Sequence, residues 1–226
     1  MRVRRVHDWD VSPAQARRIQ EELSGELVLE GEFGTPRTIA GADVAFDKPG
    51  KTAFAAVGVY EFPSLDRIDT ATALAPLTFP YVPGLLTFRE GPVLLAALER
   101  LETNPDIIMF DGQGIAHPRR FGLAAHMGLL LDVRTVGCAK SRLMGEFEEP
   151  GVAAGSRSEL REGNDVIGTV LRTRDGVRPV FVSPGHRMGI EGSVEAVQAC
   201  LDGLRIPKPT RDADALVGKL KRGELR

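Results

Sequence analysis

The alternation of apolar and polar residues predicts a first helix followed by three strands. Ser12 can cap the helix, Pro13 suits its first position and Gln15 can complete a capping box, so the helix should run to about Leu27. Three runs of strand-forming residues come next, separated by turns that contain Pro, Gly or Asp: residues 38–46, 52–61 and 67–77. This spacing predicts three consecutive antiparallel strands.

The second half of the chain alternates between helices and strands. Residues 91–101 carry apolar side chains on one helical face, and residues 106–110 read as a short strand of the fully buried kind. We then expect a helix over 121–131, a strand over 134–139, a hairpin of 166–172 with 178–182, and helices over 191–204 and 210–221. Three antiparallel strands followed by strand–helix alternation are the topology of a ribonuclease H-like fold. The predicted class is α/β, a mixed β-sheet flanked by helices, in a single domain over residues 1–226.

Composition narrows the class of protein further. A chain of 226 residues with 42% hydrophobic and 27% charged residues is ordinary for a globular domain, which excludes a disordered or fibrous protein. Its two cysteines, Cys138 and Cys200, are far apart in sequence and exclude a disulfide framework or a cysteine-only zinc site. The longest apolar runs are too short to cross a bilayer, and the basic N-terminus lacks the apolar stretch of a signal peptide. We therefore expect a cytoplasmic protein without membrane contact.

Charge is balanced overall but segregated along the chain. The formal net charge is −2, yet residues 112–145 carry a single acid, Asp132, and five bases: Arg119, Arg120, Arg134, Lys140 and Arg142. A basic stretch beside acidic residues in a nearly neutral protein fits nucleic acid held at one face. An ordinary solvated surface is the alternative interpretation.

Three acids lie in or next to predicted apolar strands and helices. Asp43 lies within an otherwise apolar strand, Asp111 directly follows another, and Glu90 precedes the helix between them. A structural salt bridge would explain one such acid, and a capping box with Thr87 would explain Glu90. Three converging carboxylates would instead repel each other unless divalent cations neutralise them, and oxygen ligands favour Mg²⁺ or Mn²⁺ over zinc. That arrangement suits two-metal phosphoryl transfer, in which one ion activates water and the other stabilises the leaving oxygen.

Two further segments carry unusual chemistry. In residues 111–119, two glycines let the backbone approach a ligand, and His117 and Arg119 follow within reach of a phosphate; a flexible surface loop is the alternative. Pro80 and Pro83 flank Tyr81 and make a stiff finger that could push a side chain between bases. A rigid turn without such a role is the alternative for this segment.

The same segments resemble a known family. Residues 80–90 (PYVPGLLTFRE) and 111–119 (DGQGIAHPR) look like the two signature blocks of endonuclease V, the deoxyinosine 3′-endonuclease family, which has a ribonuclease H-like fold. The resemblance extends, in the same order, to residues 42–44 (ADV), 136–141 (VGCAKS), 183–187 (SPGHR) and 210–214 (TRDAD). It therefore covers nearly the whole chain.

The resemblance implies a role for each matching residue. Asp43, Glu90 and Asp111 would be catalytic metal ligands, with Asp214 completing the site from the last helix. Lys140 would approach the scissile phosphate and the attacking water, and His117 would support the nucleotide backbone near the metal. Tyr81, with Pro80, Val82 and Pro83, would be a wedge that fills the gap left by a flipped base. The hypoxanthine pocket would be lined by the backbone around Gly84, Leu86, Gly112 and Gly122, and the substrate-binding loop also includes Gln113, Gly114 and Ile115.

The last motif departs from the family pattern. Members of the family commonly carry an apolar residue where this chain has Asp212, and some carry His where it has Asp214.

The implied activity is DNA repair. The enzyme would recognise deoxyinosine, which is deaminated adenine, and use Mg²⁺, or Mn²⁺ in its place. It would hydrolyse the second phosphodiester 3′ to the lesion, leaving 3′-hydroxyl and 5′-phosphate ends. Its partner would be DNA containing deoxyinosine, with inosine-containing RNA left open, and it would act as a monomer without an obligate protein partner.

Several alternatives compete with this activity. Another ribonuclease H-like nuclease acting on RNA or junction DNA would share the acids but not the wedge. A non-catalytic nucleic-acid-binding module would be expected to lack an acid or Lys140, and all are present. A two-carboxylate glycosidase would leave the basic stretch unexplained.

Overall fold

The computed structural model describes residues 1–48 and 50–225. In chain order, the elements of these residues are α1 (Pro13–Ser24), β1 (Thr38–Phe46), β2 (Thr52–Glu61), β3 (Arg67–Pro76), α2 (Leu86–Leu98), β4 (Ile107–Phe110), α3 (Leu123–Leu131), β5 (Arg134–Ala139), β6 (Arg157–Glu162), β7 (Asp165–Leu171), β8 (Val180–Pro184), α4 (Ile190–Ala199) and α5 (Lys208–Lys221). Within these residues, no helix is both long and apolar enough to cross a membrane.

The strands form one mixed sheet in the order β3-β2-β1-β4-β5-β8-β7-β6. β1, β4 and β5 run parallel to one another, and every other neighbouring pair is antiparallel. The three antiparallel strands, the strand–helix alternation and the hairpin of β7 with β8 were all predicted from the sequence. The predicted α/β class, with a mixed sheet flanked by helices in one domain, is confirmed.

The core lies on both faces of this sheet because side chains alternate along each strand. Ala42, Ile108 and Phe110 face α2 and α3. Ile39 and Met109 face the opposite side, where α4 packs. α5 covers β1 and β2 on that second side, with Leu216 and Val217 packed against Ala56 of β2. The two cysteines are buried in the core near α4, as expected for small apolar side chains.

The N-terminus of α5 comes unusually close to β1. A Cβ atom at Gly41 would lie 2.1 Å from the carbonyl carbon and oxygen of Pro209. Only glycine permits this approach, so any larger residue at position 41 would push α5 away from the sheet. This contact sets the position of the helix that carries Asp214.

The prediction differs most from the structure at α2, at the end of α4, which was expected at residue 204 and lies at Ala199, and at β6, which was not predicted. The apolar face of residues 91–101 predicted a helix there, but α2 begins at Leu86, ends at Leu98 and holds Pro92 inside. Gly91 is there for packing, since a Cβ atom would lie 2.4 Å from the Trp9 ring. The edge strand β6 was missed because only Leu160 of its six residues is buried, so its sequence shows no apolar alternation.

Candidate active site

Two carboxylates lie just beyond the point where the parallel pairing of β1 with β4 ends, Asp43 within β1 and Asp111 directly after β4. The β1–β4 register pairs Ala42 with Phe110, so Asp43 and Asp111 occupy the next positions on neighbouring strands. Neighbouring strands are about 4.8 Å apart, which brings these two acids together as predicted. Because side chains alternate, Asp43 is on the same face of β1 as Gly41, the face that α5 covers.

Glu90 approaches the same point from α2. Its side chain is 9% exposed, and burial together with the charges of Asp43 and Asp111 raises its pKa to about 8. The alternative of a capping box with Thr87 is wrong. The N-cap residue of α2 is Leu85, no side chain caps this helix, and Thr87 and Glu90 both lie within it. Glu90 therefore gains no capping bond that would explain a buried acid.

Asp43 is affected by all of the surrounding charges. Burial raises its pKa to about 7, a hydrogen bond from the Val44 backbone works against this rise, and the charges of Asp111 and Asp214 add to it. The charge of Asp214 on α5 therefore reaches Asp43, and its predicted role as a fourth ligand stays a prediction. The nearby Asp212 has a different role: its Oδ2 accepts hydrogen bonds from Tyr60 Oη at 3.1 Å and Lys208 Nζ at 2.8 Å.

Lys140 brings a positive charge to this acidic group. It directly follows β5, and its Nζ lies 2.6 Å from Asp111 Oδ2. Partial burial would lower the pKa of Lys140, but the hydrogen bond and charge of Asp111, with Asp214 and Asp43, outweigh that effect and raise it. The ammonium group therefore keeps its proton at neutral pH.

The donor set fits a hard divalent cation. Glu90, Asp43 and Asp111 supply only oxygen ligands, and buried like charges with raised pKa values are what a cation would relieve. Across residues 1–48 and 50–225, no three His, Cys, Asp or Glu side chains are already close enough together to enclose an ion.

An exposed finger lies across the cavity from this group. Tyr81 is 73% exposed between two exposed prolines, while Phe79 and Leu85 on either side are buried with Ala16 and Phe88. The base of the finger is also hydrogen-bonded. Gly84 O accepts from Arg119 Nη2 at 2.8 Å and lies 2.9 Å from His117 Nε2. The finger is thus a stiff projection, as its prolines predicted.

Both ring nitrogens of His117 are engaged within the protein. Nδ1 accepts from the Arg119 backbone N–H at 3.2 Å, so Nε2 carries the proton and donates it to Gly84 O. Burial, partly offset by the bond to Gly84, lowers the pKa of His117 to about 4. In this arrangement His117 holds the finger in place. Its predicted contact with the nucleotide backbone stays a prediction.

Residues 111–119 do not form the flexible surface loop that was the alternative interpretation. Residues 113–117 are all buried, and Gly114 N–H donates to Ser183 Oγ at 2.8 Å. A Cβ atom at Gly114 would lie 1.9 Å from Pro184 O, so this glycine serves packing against β8 rather than approach to a ligand. Ile115 N–H donates to the same Pro184 oxygen at 2.9 Å and anchors the loop.

One cavity of about 420 Å³ connects the acidic group to the finger. Of the predicted substrate-binding residues, the following line it: Tyr81, Val82, Pro83, Gly84, Leu86, Gly112, Gln113 and Gly122. Asp111, Lys140 and His117 also line it. Pro80, Gly114 and Ile115, which the structure describes, are not among the lining residues. Asp43, Glu90 and Asp214, which the structure also describes, are not among the lining residues, so the cavity meets the acidic group at Asp111.

The sequence did not identify every residue of the cavity wall. Gln20, Thr87, Ser141 and Leu143 also line it. Gln20 joins α1 to the site, since its Oε1 accepts from Arg119 Nε at 2.7 Å and its Nε2 donates to Phe121 O at 3.0 Å. A polar residue on the buried side of α1, four residues after Ala16, was the signal that could have revealed it.

The basic stretch does not form one continuous face. Of its five bases, only Lys140 and Arg142 line the cavity. Arg120 forms an ion pair with Glu162 at 2.5 Å, and Arg134 donates to the carbonyls of Asp106 and Phe33. Arg120 and Arg134 thus serve internal contacts, and the bases of this stretch that line the cavity are Lys140 and Arg142.

Comparison with known proteins agrees with this geometry. The sequence family described as Endonuclease V matches residues 21–215. A protein named Endonuclease V from Methanothrix thermoacetophila is 48% identical over 225 residues, covering 100% of this chain and 98% of the relative. The crystal structure of the Endonuclease V from Streptomyces avermitilis has a TM-score of 0.91 at 41% identity and covers 99% of both chains. A Ciona intestinalis Endonuclease V in complex with a 24-mer DNA containing an inosine followed by a ribo-adenosine has a TM-score of 0.78 at 28% identity, covering 93% of this chain and 98% of that one.

Proposed function

The chain belongs to the endonuclease V family of nucleases, and we propose that it is a DNA repair enzyme acting on deoxyinosine. It hydrolyses the second phosphodiester 3′ to the lesion and leaves 3′-hydroxyl and 5′-phosphate ends, with residues 1–226 acting as one catalytic domain. The observation that carries the proposal is the single cavity that joins the Asp111–Lys140 pair to the Tyr81 finger. A cytoplasmic, monomeric protein stays a prediction.

The damaged base is read by its changed hydrogen-bonding pattern. Deamination replaces the exocyclic amine of adenine with a carbonyl and turns ring N1 from an acceptor into a donor. Backbone groups at Gly84, Gly112 and Gly122, which line the cavity, can form hydrogen bonds that match hypoxanthine. When adenine enters instead, some of these backbone groups are left without a hydrogen-bond partner, which is costly. A mispaired hypoxanthine also costs less to extrude than a sound base pair.

Asp43, Glu90 and Asp111 hold Mg²⁺, for which Mn²⁺ can substitute, and Asp214 contributes from α5. When bound, the metal supplies the positive charge that activates water and stabilises the leaving oxygen. Lys140 keeps its proton because Asp111 and its acidic neighbours raise its pKa, so it acts as a cation toward the scissile phosphate and not as a base.

A nicking assay tests the proposal directly. A labelled duplex with one deoxyinosine should be cut at the second phosphodiester 3′ to the lesion with Mg²⁺ and stay intact with EDTA. The matched duplex with deoxyadenosine should resist cutting. Cutting of both duplexes at similar rates, or of neither, would contradict the proposal.

A second substrate in the nicking assay tests whether a ribonucleotide is accepted next to the lesion. The Ciona intestinalis relative was crystallised on a strand with a ribo-adenosine after the inosine, so that protein accommodates at least one ribose there. We propose that this chain also accepts a ribonucleotide after the lesion. A deoxyinosine duplex with and without a single ribo-adenosine 3′ to the lesion should be cut at rates within about tenfold of each other.

Tyr81→Ala should weaken binding to a deoxyinosine duplex by roughly 5- to 150-fold, because the ring replaces stacking that is lost when the base leaves. The unfolding midpoint should move little, since the side chain is 73% exposed. Affinity measured without Mg²⁺ on duplex and single-stranded deoxyinosine checks this, and the loss should be smaller on the single strand.

Tyr81→Phe is the matched control because it keeps the stacking ring and should bind nearly as the wild type does. Equal losses on both substrates for Tyr81→Ala, or a large drop in unfolding temperature, would return Tyr81 to the role of a packed turn residue.

A further inference from the structure

Lys140 is the first residue beyond the paired part of β5. The ladder between β5 and β8 ends at the pair of Ala139 with Phe181 and, among the described residues, does not extend to Lys140. The Lys140 side chain is 44% exposed, yet its Nζ lies 2.6 Å from Asp111 Oδ2. Holding a long side chain in one direction costs conformational entropy, and the cost is smaller when its backbone is already fixed.

The guanidinium group of Arg205 holds this backbone from a distant part of the sequence. Arg205 lies between α4 and α5, and its Nη2 donates to Lys140 O at 2.9 Å. The same nitrogen donates to Pro179 O at 2.9 Å, and Nε donates to Arg178 O at 2.8 Å. These three bonds use the hydrogen on Nε and both hydrogens on Nη2, which a planar guanidinium presents in a fixed geometry. We call them the Arg205 clamp; it connects the segment after β5 to the segment before β8.

Arg205 is itself fixed in position. Its carbonyl oxygen accepts from Thr173 Oγ1 at 2.7 Å, and Thr173 is buried. The segment that contains Arg205 leads directly into α5, which begins at Lys208. The Arg205 clamp therefore has a fixed origin, and the atom that it holds belongs to the residue whose ammonium group contacts Asp111.

We propose that Arg205 is a positioning residue, which fixes the backbone of Lys140 so that its ammonium group stays directed at Asp111 and the scissile phosphate. The inference rests on the proposed function, in which Lys140 is the cation at that phosphate. Arg205 does not contact the substrate in this role and acts only through Lys140. Losing the Arg205 clamp should therefore slow the reaction of bound substrate and leave substrate binding nearly unchanged.

The positive charge of Arg205 is the competing explanation. Burial and the charge of Arg178 lower the pKa of Arg205, and the charge of Asp111 is among those that oppose this effect. The guanidinium group is thus close enough to Asp111 to act on the site through its charge alone. Arg205→Lys separates the two explanations, because it keeps the charge but replaces the planar group with a single ammonium.

Steady-state nicking of a deoxyinosine duplex gives the first test. Arg205→Gln should lower kcat roughly 10- to 100-fold and keep KM within about twofold. Arg205→Lys should lose nearly as much kcat. An unchanged kcat in Arg205→Gln would overturn the inference, and so would a wild-type kcat in Arg205→Lys, because charge alone would then suffice.

Arg134→Gln is the matched control. Arg134 also donates to two backbone carbonyls, but it lies at the opposite end of β5. Measured well below the unfolding midpoint of each variant, Arg134→Gln should keep kcat within about twofold of the wild type. An equal loss of kcat in Arg134→Gln and Arg205→Gln would overturn the inference, because any contact at either end of the strand would then matter alike.

A double-mutant cycle tests whether Arg205 acts through Lys140. In a Lys140→Met background, Arg205→Gln should lower kcat by less than about twofold, because no ammonium group is left to direct. Full additivity of the two losses would overturn the inference and make Arg205 a general structural residue.

Amide hydrogen exchange of the metal-free protein gives a readout that does not depend on activity. Exchange within residues 139–143 should be faster in Arg205→Gln than in the wild type and unchanged in Arg134→Gln. Equal exchange in this segment of Arg205→Gln and the wild type would overturn the inference, because the backbone would then be held without Arg205.

Thr173→Val provides the test if Arg205→Gln does not fold. It removes the bond that fixes the Arg205 backbone and leaves the guanidinium group in place. It should lower kcat roughly 2- to 10-fold, and the loss should disappear in the Lys140→Met background. An unchanged kcat, or a loss that persists in that background, would overturn the inference. A wild-type protein that cuts no deoxyinosine duplex at all would contradict the proposed function instead, so the two failures are distinguishable.

Discussion

Replacing Asp43 or Asp111 with Ala should abolish nicking of a deoxyinosine duplex, with a loss on the order of 10³-fold or more, while duplex binding persists. These two acids occupy adjacent positions on neighbouring parallel strands and share a buried site with Glu90. Removing either one would remove a proposed metal ligand at the reacting phosphate. Removing negative charge near a phosphate should leave binding unchanged or strengthen it.

The measurement is single-turnover nicking with Mg²⁺, together with duplex affinity without Mg²⁺. Asp66→Ala is a suitable control, because Asp66 is an exposed acid in the turn between β2 and β3. Wild-type nicking by either active-site variant in Mg²⁺ would show that the metal ligands have been assigned wrongly.

Glu90→Gln should eliminate most nicking but should not unfold the protein. Gln is a poor metal ligand, yet it fits the space of Glu and needs no compensation for buried charge. Since Glu90 caps no helix, the substitution removes no capping bond. A variant that is unstable but fully active would instead make Glu90 a structural residue.

Glu90 and Asp43 should make the metal-free protein less stable as the pH rises. The pKa of Glu90 is about 8 in the folded chain against 4.5 as its ordinary value, and that of Asp43 is about 7 against 3.8. The folded state therefore holds more protons between about pH 4 and 8, so stability is greatest below this window and is lost as pH rises through it.

Thermal unfolding in EDTA should show a midpoint that falls from pH 5 to pH 8.5. Mg²⁺ should restore much of the loss at pH 8.5, because it binds the ionised carboxylates of the folded state only. Glu90→Gln should make the decline shallower. A midpoint that rises with pH over this window would show that these acids are not buried together.

The sequence revealed those parts of the fold that depend on local apolar pattern. β1, β2 and β5 begin and end where predicted, since buried strands are nearly continuous runs of apolar residues. β6 gave no signal because its residues are held by backbone pairing with β7 at an exposed edge. The start of α2 was misplaced because the apolar face was recognised only from residue 91 onwards, whereas the helix begins at Leu86 and includes Gly91, which packs against Trp9.

The candidate site was predictable to a similar extent. Asp43 and Asp111 stood out because each is a charge attached to an apolar strand, which is costly without a partner or a metal. Leu143 could not be found in that way, because it reaches the cavity only through the packing of the segment after β5. The resemblance to a family indicated roles for individual residues, and the structure adds which of them share a space.

The seating of α5 on β1 has a consequence for the timing of biosynthesis. Gly41 is synthesised early, whereas Pro209, which packs against it, emerges from the ribosome only after every strand of the described sheet. At about 5–20 residues per second, translation leaves the partly made chain for roughly 10 to 30 seconds with this face of β1 uncovered and Asp214 not yet synthesised. We expect such a nascent chain to be unable to cut nucleic acid. Competence to cut a phosphodiester would then be complete only once α5 packs on β1 and β2.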